Sequence, residues 1–267
     1  VPERILLLLC ALASPVAAQV SATAGLTIAD RYVFRGITRV NGWVLQPLAA
    51  TEVALGSGTL TAAAWGNVEL SRAGAGDLGD AGRDRRGLGE LDVELSGGAD
   101  VGPFSLTAGW IRYTYHGDAS RGGRGATANT SELFAAAAWR VPLAPEVVVY
   151  HDVGDRRAVY AELAATLPVF ASPEPRPAAI ISLQPVAGWE AGPGADRGLT
   201  HVDLPLALDL QLHGAAIEPS VSLRLHTQWS RDAATRVTDA IGGSARVKLW
   251  AEFMVAAVAL PDRRRRR

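Results

Sequence analysis

The chain has 267 residues, a formal net charge of −1 at pH 7 and 48% hydrophobic residues, with a single Cys. Near-neutral charge removes any global argument for a nucleic-acid partner, and none is expected. One cysteine excludes a disulfide framework, and 28 glycines beside 7 tryptophans suit strands and turns better than helices. In chain order, the first element reads as an export signal over 1–18. Arg4 gives the positive start, Ile5 to Ala13 the apolar stretch, and Val16-Ala17-Ala18 the small-residue cleavage site. The apolar run of about 14 residues is short of the roughly 20 that a spanning helix needs. Cys10 lies within this segment, so the mature chain from Gln19 has no thiol chemistry.

Beyond Gln19 the apolar residues recur with period two. Residues 217–229 show it best: Ile217, Val221, Leu223, Leu225 and Trp229 alternate with Glu218, Ser222, Arg224, His226 and Gln228. Successive strand side chains point to opposite faces, so such stretches are two-faced strands. The same test predicts twelve strands, at 24–38, 43–55, 58–70, 89–97, 102–115, 130–141, 145–153, 157–170, 179–189, 199–212, 215–229 and 244–260. Tight joints (56–57, 97–102, 142–145, 212–214) alternate with long ones (71–88, 116–129, 190–198, 230–243). Joints 38–42 and 154–156 are short ones on the long side. Segregation of loop length by end is the pattern of an all-β, antiparallel up-and-down transmembrane barrel. The domains expected are a signal peptide over 1–18, an outer-membrane β-barrel over 19–260 and a basic tail over 261–267.

Aromatic placement and charge phase agree with a barrel that is wet inside. Trp43, Trp65, Trp110, Trp189 and Trp229 are read as an interfacial girdle at the long-loop end, with Phe104, Phe170 and Trp139 at the other. The charged face supplies Arg31, Arg35, Glu52, Asp92, Glu94, Glu132, Glu162, Asp203, Asp209, Glu218, Arg224, Arg246, Lys248 and Glu252 as lumen-lining candidates. A lipid-facing Arg or Lys at the midplane costs about 2–4 kcal/mol, so these charges belong inside. In this reading Tyr32 and Phe34 face lipid. Arg31 and Arg35 face the lumen beside Glu252, Arg246 and Lys248, which would be a local positive cluster. Asp30 falls out of phase.

The stretch Asp30-Arg31-Tyr32-Val33-Phe34-Arg35-Gly36-Ile37 resembles the opening strand motif of the TorF-like porin family. Trp65-Gly66-Asn67-Val68, Glu90-Leu91-Asp92, Tyr113-Thr114-Tyr115, Thr130-Ser131-Glu132-Leu133 and Tyr150-His151-Asp152 follow in the family's order. The resemblance covers roughly residues 25–165 and implies an outer-membrane barrel with a pore role; it supplies no site residue. The last strand departs from the usual outer-membrane pattern, ending at Leu260 rather than on an aromatic residue before Arg263 to Arg267.

Other chemistry is thinly represented. Gly74 to Gly79 has the glycine spacing of a dinucleotide loop but no helix after it. The histidines at 116, 151, 201, 213 and 226 lack metal-ligand spacing, though His201 and His226 could meet in the lumen. Ser222 with His226 and Asp203 is the nearest approach to a nucleophilic set. No catalytic, cofactor or metal site is therefore expected. The leading function is a narrow channel for ions or small solutes in the outer membrane. Outer-membrane lipid and the barrel assembly machinery are its partners. The alternative is a non-conducting barrel whose loops bind a partner; an outer-membrane enzyme comes third.

Overall fold

The computed structural model describes residues 19–70, 87–116, 129–154, 157–173, 179–192, 198–212, 217–230 and 247–259. The expected signal peptide, Arg246, the basic tail and the long connections of the sequence reading lie outside them, entirely or in large part. The described residues form β1 (Gln19–Ala29), β2 (Tyr32–Phe34), β3 (Ile37–Val40), β4 (Val44–Leu55), β5 (Gly58–Glu69), β6 (Gly87–Val101), β7 (Phe104–Tyr115), β8 (Thr130–Trp139), β9 (Glu146–Asp152), β10 (Val159–Ala164), β11 (Leu167–Ala171), β12 (Ala179–Leu183), β13 (Val186–Ala191), β14 (Gly198–Asp203), β15 (Leu206–Gln211), β16 (Ile217–Ser230) and β17 (Val247–Ala259).

All of these except β2 and β3 belong to one antiparallel sheet that closes on itself, because β17 pairs with both β16 and β1. Three barrel strands are interrupted, so β10 with β11, β12 with β13, and β14 with β15 each act as one. The wall thus has twelve staves. Two of the interruptions fall at Gln184-Pro185 and Leu204-Pro205. Proline has no N–H to give the ladder, which favours a break in the strand at these two positions. The carbonyls still serve: Pro185 O accepts from Ala165 N at 3.1 Å and Pro205 O from Gln184 N at 3.0 Å. Closure through β1, β17 and β16 joins the two ends of the sheet, as a wall that meets lipid requires, and among the described residues β11 is paired on one side only, with β12.

The alternation seen in the sequence maps onto the two faces of this wall. Leu26, Leu60, Leu95, Leu133, Val202, Leu225 and Leu249 are exposed on the outside. In β1, Ser21, Thr23, Gly25 and Thr27 alternate with them on the inside, in register with Glu52, Ala50, Leu48 and Gln46 of β4. Phe104 and Trp139 stack outside at the short-turn end, with ring centroids 6.1 Å apart. No helix among the described residues is long and apolar enough to cross a membrane.

Two predicted boundaries are corrected. The joint expected at 97–102 is strand: β6 continues through Gly97 and Gly98 to Val101, because ladder bonds to Ala108 and Thr107 need no side chain. The single strand expected at 24–38 ends at Ala29. Asp30 terminates it there, its N–H donating to Ala251 O (3.3 Å) and its Oδ1 accepting from Ala251 N (3.2 Å). That bond explains the residue that fell out of phase. The chain then turns inward and forms the separate hairpin β2–β3.

Candidate functional site

The lumen and the hairpin folded into it form the candidate site. The hairpin turns on Arg35 and Gly36, whose φ values are 50° and 85°. Two central residues with positive φ make the tight turn whose twist suits paired strands. Its root packs in a small core of Ala29, Tyr32, Val40 and Val44, with Phe34 and Trp65 against it. Tyr32 and Phe34 therefore lie inside the barrel, not against lipid as the alternation predicted. Their rings bury against Trp65 (5.5 Å) and Tyr113 (5.9 Å).

The hairpin spans the width of the lumen. It springs from β1 and β4, and β9 stands halfway round the ring from β1. The Arg35 guanidinium at the tip reaches that far wall. Its Nη1 and Nη2 donate to Glu132 Oε1 and Oε2 of β8 at 2.7 and 2.6 Å. It also lies 4.5 Å from the Tyr150 ring centroid and 4.2 Å from that of Tyr160. Tyr113 donates a further bond to Glu132 Oε2 at 3.0 Å. The planar fork of arginine matches a carboxylate in two parallel bonds, and its faces stack on aromatic rings. Arg35 is 17% exposed and Glu132 8%, so this is a buried pair. From the side, Lys248 Nζ of β17 donates to Gly36 O at 2.9 Å. Arg39 lies over the rings of Phe34 and Tyr115 and donates to the Tyr115 hydroxyl at 3.1 Å.

Two glycines permit this packing. A Cβ on Gly36 would stand 2.8 Å from His201 Cβ, and one on Gly188 would meet the Tyr160 hydroxyl and the His201 ring. Gly36→Ala therefore combines a clash with an unfavourable backbone, worth about 1–2 kcal/mol. Chemical denaturation of the folded protein in detergent should show that loss. Unchanged stability would mean that the tip is not seated on His201.

The register puts Glu52, Asp92, Glu94, Glu162, Asp203, Asp209, Glu218, Arg224, Lys248 and Glu252 on the inner face. Arg31 occupies the bend before β2, with its Nε enclosed and without a hydrogen-bond partner. The positive cluster expected around Glu252 is not assembled by the described residues. Arg35 pairs with Glu132 and Lys248 with Gly36. Glu252 lies beside His226 (3.5 Å) and accepts from Trp250 Nε1 (3.2 Å). Register adds Glu69, Glu90, Glu132, Glu146, Asp152 and Glu190 to the inner acids. Carboxylates thus far outnumber Arg224 and Lys248 on the wall, Arg35 and Arg39 on the hairpin and Arg31 in the bend before it.

The expected girdle divides. Trp43, Trp189 and Trp229 are on the outer face near the long-loop end, and Trp110 is outside but midway along β7. Trp65 faces inward, opposite Leu48 and Asp92. Its phase with Thr61, Asn67 and Glu69 carried that information. The same signal, an aromatic in phase with an acid, marks Tyr150, Tyr160 and Trp250 as inner residues, whereas Tyr113 shares its phase only with Ser105, Thr107, Gly109, Ile111 and Tyr115; the sequence reading missed all four.

The polar sets considered for chemistry are otherwise engaged. His226 Nδ1 lies 2.8 Å from Asp203 Oδ2 and its ring stacks on Trp250 at 4.3 Å. Ser222 Oγ donates to Asp209 Oδ1 at 2.5 Å, away from His226. His201 meets Thr200 and stacks on Tyr160, not on His226.

No protein-family model matches the chain, and no curated protein does. Solved structures do. An outer membrane channel from Pseudomonas putida F1 is similar at a TM-score of 0.50 and 12% identity, over 92% of this chain and 97% of that one. A bacterial polysaccharide outer membrane secretin gives 0.44 and 12% over 91% and 98%, and OccK5 of Pseudomonas aeruginosa gives 0.36 and 12% over 92% and 98%. At such identity the likeness shows the fold alone, and only the first reaches a score that carries it. The chain has the fold of the outer-membrane barrels. Its exposed apolar outer face and closed wall fit the outer membrane as its location.

Proposed function

We propose that the barrel is a narrow passive channel for small cations, constricted by the β2–β3 hairpin. One observation carries this reading: an acid-rich lumen wall crossed by a hairpin latched to the far side. Rings of carboxylates favour cations in a confined pore. Twelve staves leave a narrow interior to begin with, and the hairpin takes up part of it. The candidates Glu52, Asp92, Glu94, Glu162, Asp203, Asp209, Glu218 and Glu252 would set the preference, against Arg31, Arg35, Arg224, Arg246 and Lys248. The finer kinship, to the TorF-like porins, rests on the motifs quoted above. Residues 1–18 serve as the export signal, and the assembly machinery inserts the barrel with the long loops outside.

Planar-bilayer recording of the refolded, heat-modifiable protein tests the reading. Small, steady conductance steps are expected, and in a salt gradient the reversal potential should lie on the cation side. Anion preference would overturn the charge argument. Persistent silence would overturn the channel and leave the loop-binding barrel.

A further inference from the structure

A chamber of about 270 Å³ lies between the hairpin and the wall formed by β4 to β7. Tyr32 and Phe34 of the hairpin bound it on one side. Trp65 and Tyr113 stand on the wall with Asp92 between them in register, and Glu94 follows two residues along β6. The lining has two carboxylates and no cationic side chain. Arg35, committed to Glu132, and Arg39, beside Tyr115, lie over the Phe34 ring at 4.8 and 5.4 Å, which leaves Tyr32, Trp65 and Tyr113 as the aromatic faces for a ligand. Asp92 Oδ1 is enclosed without a hydrogen-bond partner, and Glu94 Oε1 accepts from the Ser96 hydroxyl at 2.8 Å.

We propose that this chamber binds a short aliphatic diammonium ion. Aromatic faces attract ammonium groups, most strongly where water is excluded. The apolar rings would pack on the methylene chain, and each carboxylate would accept from one ammonium end. Residues two apart on one strand face are separated by about 7 Å, which is close to the span of a four-carbon diamine. That spacing argues against a single metal ion, whose oxygen ligands stand about 2.0–2.6 Å from it. It also argues against a monoamine, which leaves one carboxylate unmatched in a half-buried space. The proposal deepens the channel reading and rests on the lumen being open to solutes: the chamber would be the step at which a permeating diamine is recognised.

Calorimetric titration of the full chain, folded in detergent, with 1,4-diaminobutane and with n-butylamine tests it. The diamine should bind saturably, and n-butylamine about tenfold more weakly. Asp92→Asn and Glu94→Gln should each bring the diamine down to the level of n-butylamine, and Trp65→Leu should weaken both. Heat-modifiable mobility on gels checks folding; should Asp92→Asn fail there, Glu94→Gln carries the comparison. No saturable heat with the diamine, or equal affinity for both amines, would overturn the proposal. Conductance of the same preparation separates the two readings. Binding without conductance removes the channel and keeps the site, whereas conductance without binding removes the site alone.

Discussion

Arg35→Ala should enlarge the single-channel conductance and make it noisier, because it releases the hairpin from the far wall. The variant deletes both bonds to Glu132 and the contacts with Tyr150 and Tyr160. It also leaves the Glu132 carboxylate enclosed, with the Tyr113 hydroxyl as a remaining donor. Breaking one side of a buried pair typically costs about 3–5 kcal/mol. A loss of about 3 kcal/mol shifts a docked-to-released equilibrium by roughly two orders of magnitude. Lys248 still holds Gly36 O, so release should be intermittent rather than complete. Removing a cation from the lumen also shifts the reversal potential further to the cation side. Glu132→Gln should loosen the hairpin in the same way but weaken cation preference, so the two variants share a conductance change and differ in selectivity. Parent-like conductance in both would mean that the hairpin does not limit flow.

The barrel was legible because lipid on one side and water on the other impose period two on each stave. Leu223 and Leu225 against Ser222, Arg224 and His226 are enough to define the faces of β16. The inward hairpin was not legible by that rule. Tyr32 and Phe34 alternate with charges much as a lipid-facing stave does, yet the apolar surface they bury against is the barrel's own interior. The local clue was Arg35-Gly36, a pair able to take the two positive φ values of a tight turn in the middle of an apparent strand. The partner of Arg35 could not be read, because Glu132 lies 97 residues away and the pairing is set by how far the hairpin reaches. Trp65 was misassigned for a simpler reason. Its residue type suits a membrane interface, but its parity with Asn67 and Glu69 places it inside.

Leu95→Arg should impair folding into bilayers far more than any change at its neighbour Glu94. Leu95 is 53% exposed on the outer face, near the middle of β6, in register with Ala62 and Trp110. Glu94 points into the lumen, in register with Ala63 and Ile111. An arginine facing lipid costs about 2–4 kcal/mol at the midplane and little near the interfaces. Leu95 also loses its apolar contact with the acyl chains, and the mid-strand position leaves the new guanidinium a long reach to either headgroup layer. Glu94→Gln removes a charge from a wet face and keeps its shape, so stability should change little there. The measurement is reversible denaturant unfolding of each variant in phospholipid vesicles, followed by tryptophan fluorescence. A large loss for Leu95→Arg with a small one for Glu94→Gln fits apolar-out, charged-in walls. If the two losses are equal, or if Glu94→Gln is the worse, the face assignment fails in the wall of the diammonium chamber itself, and the acidic lumen that the channel reading needs fails with it.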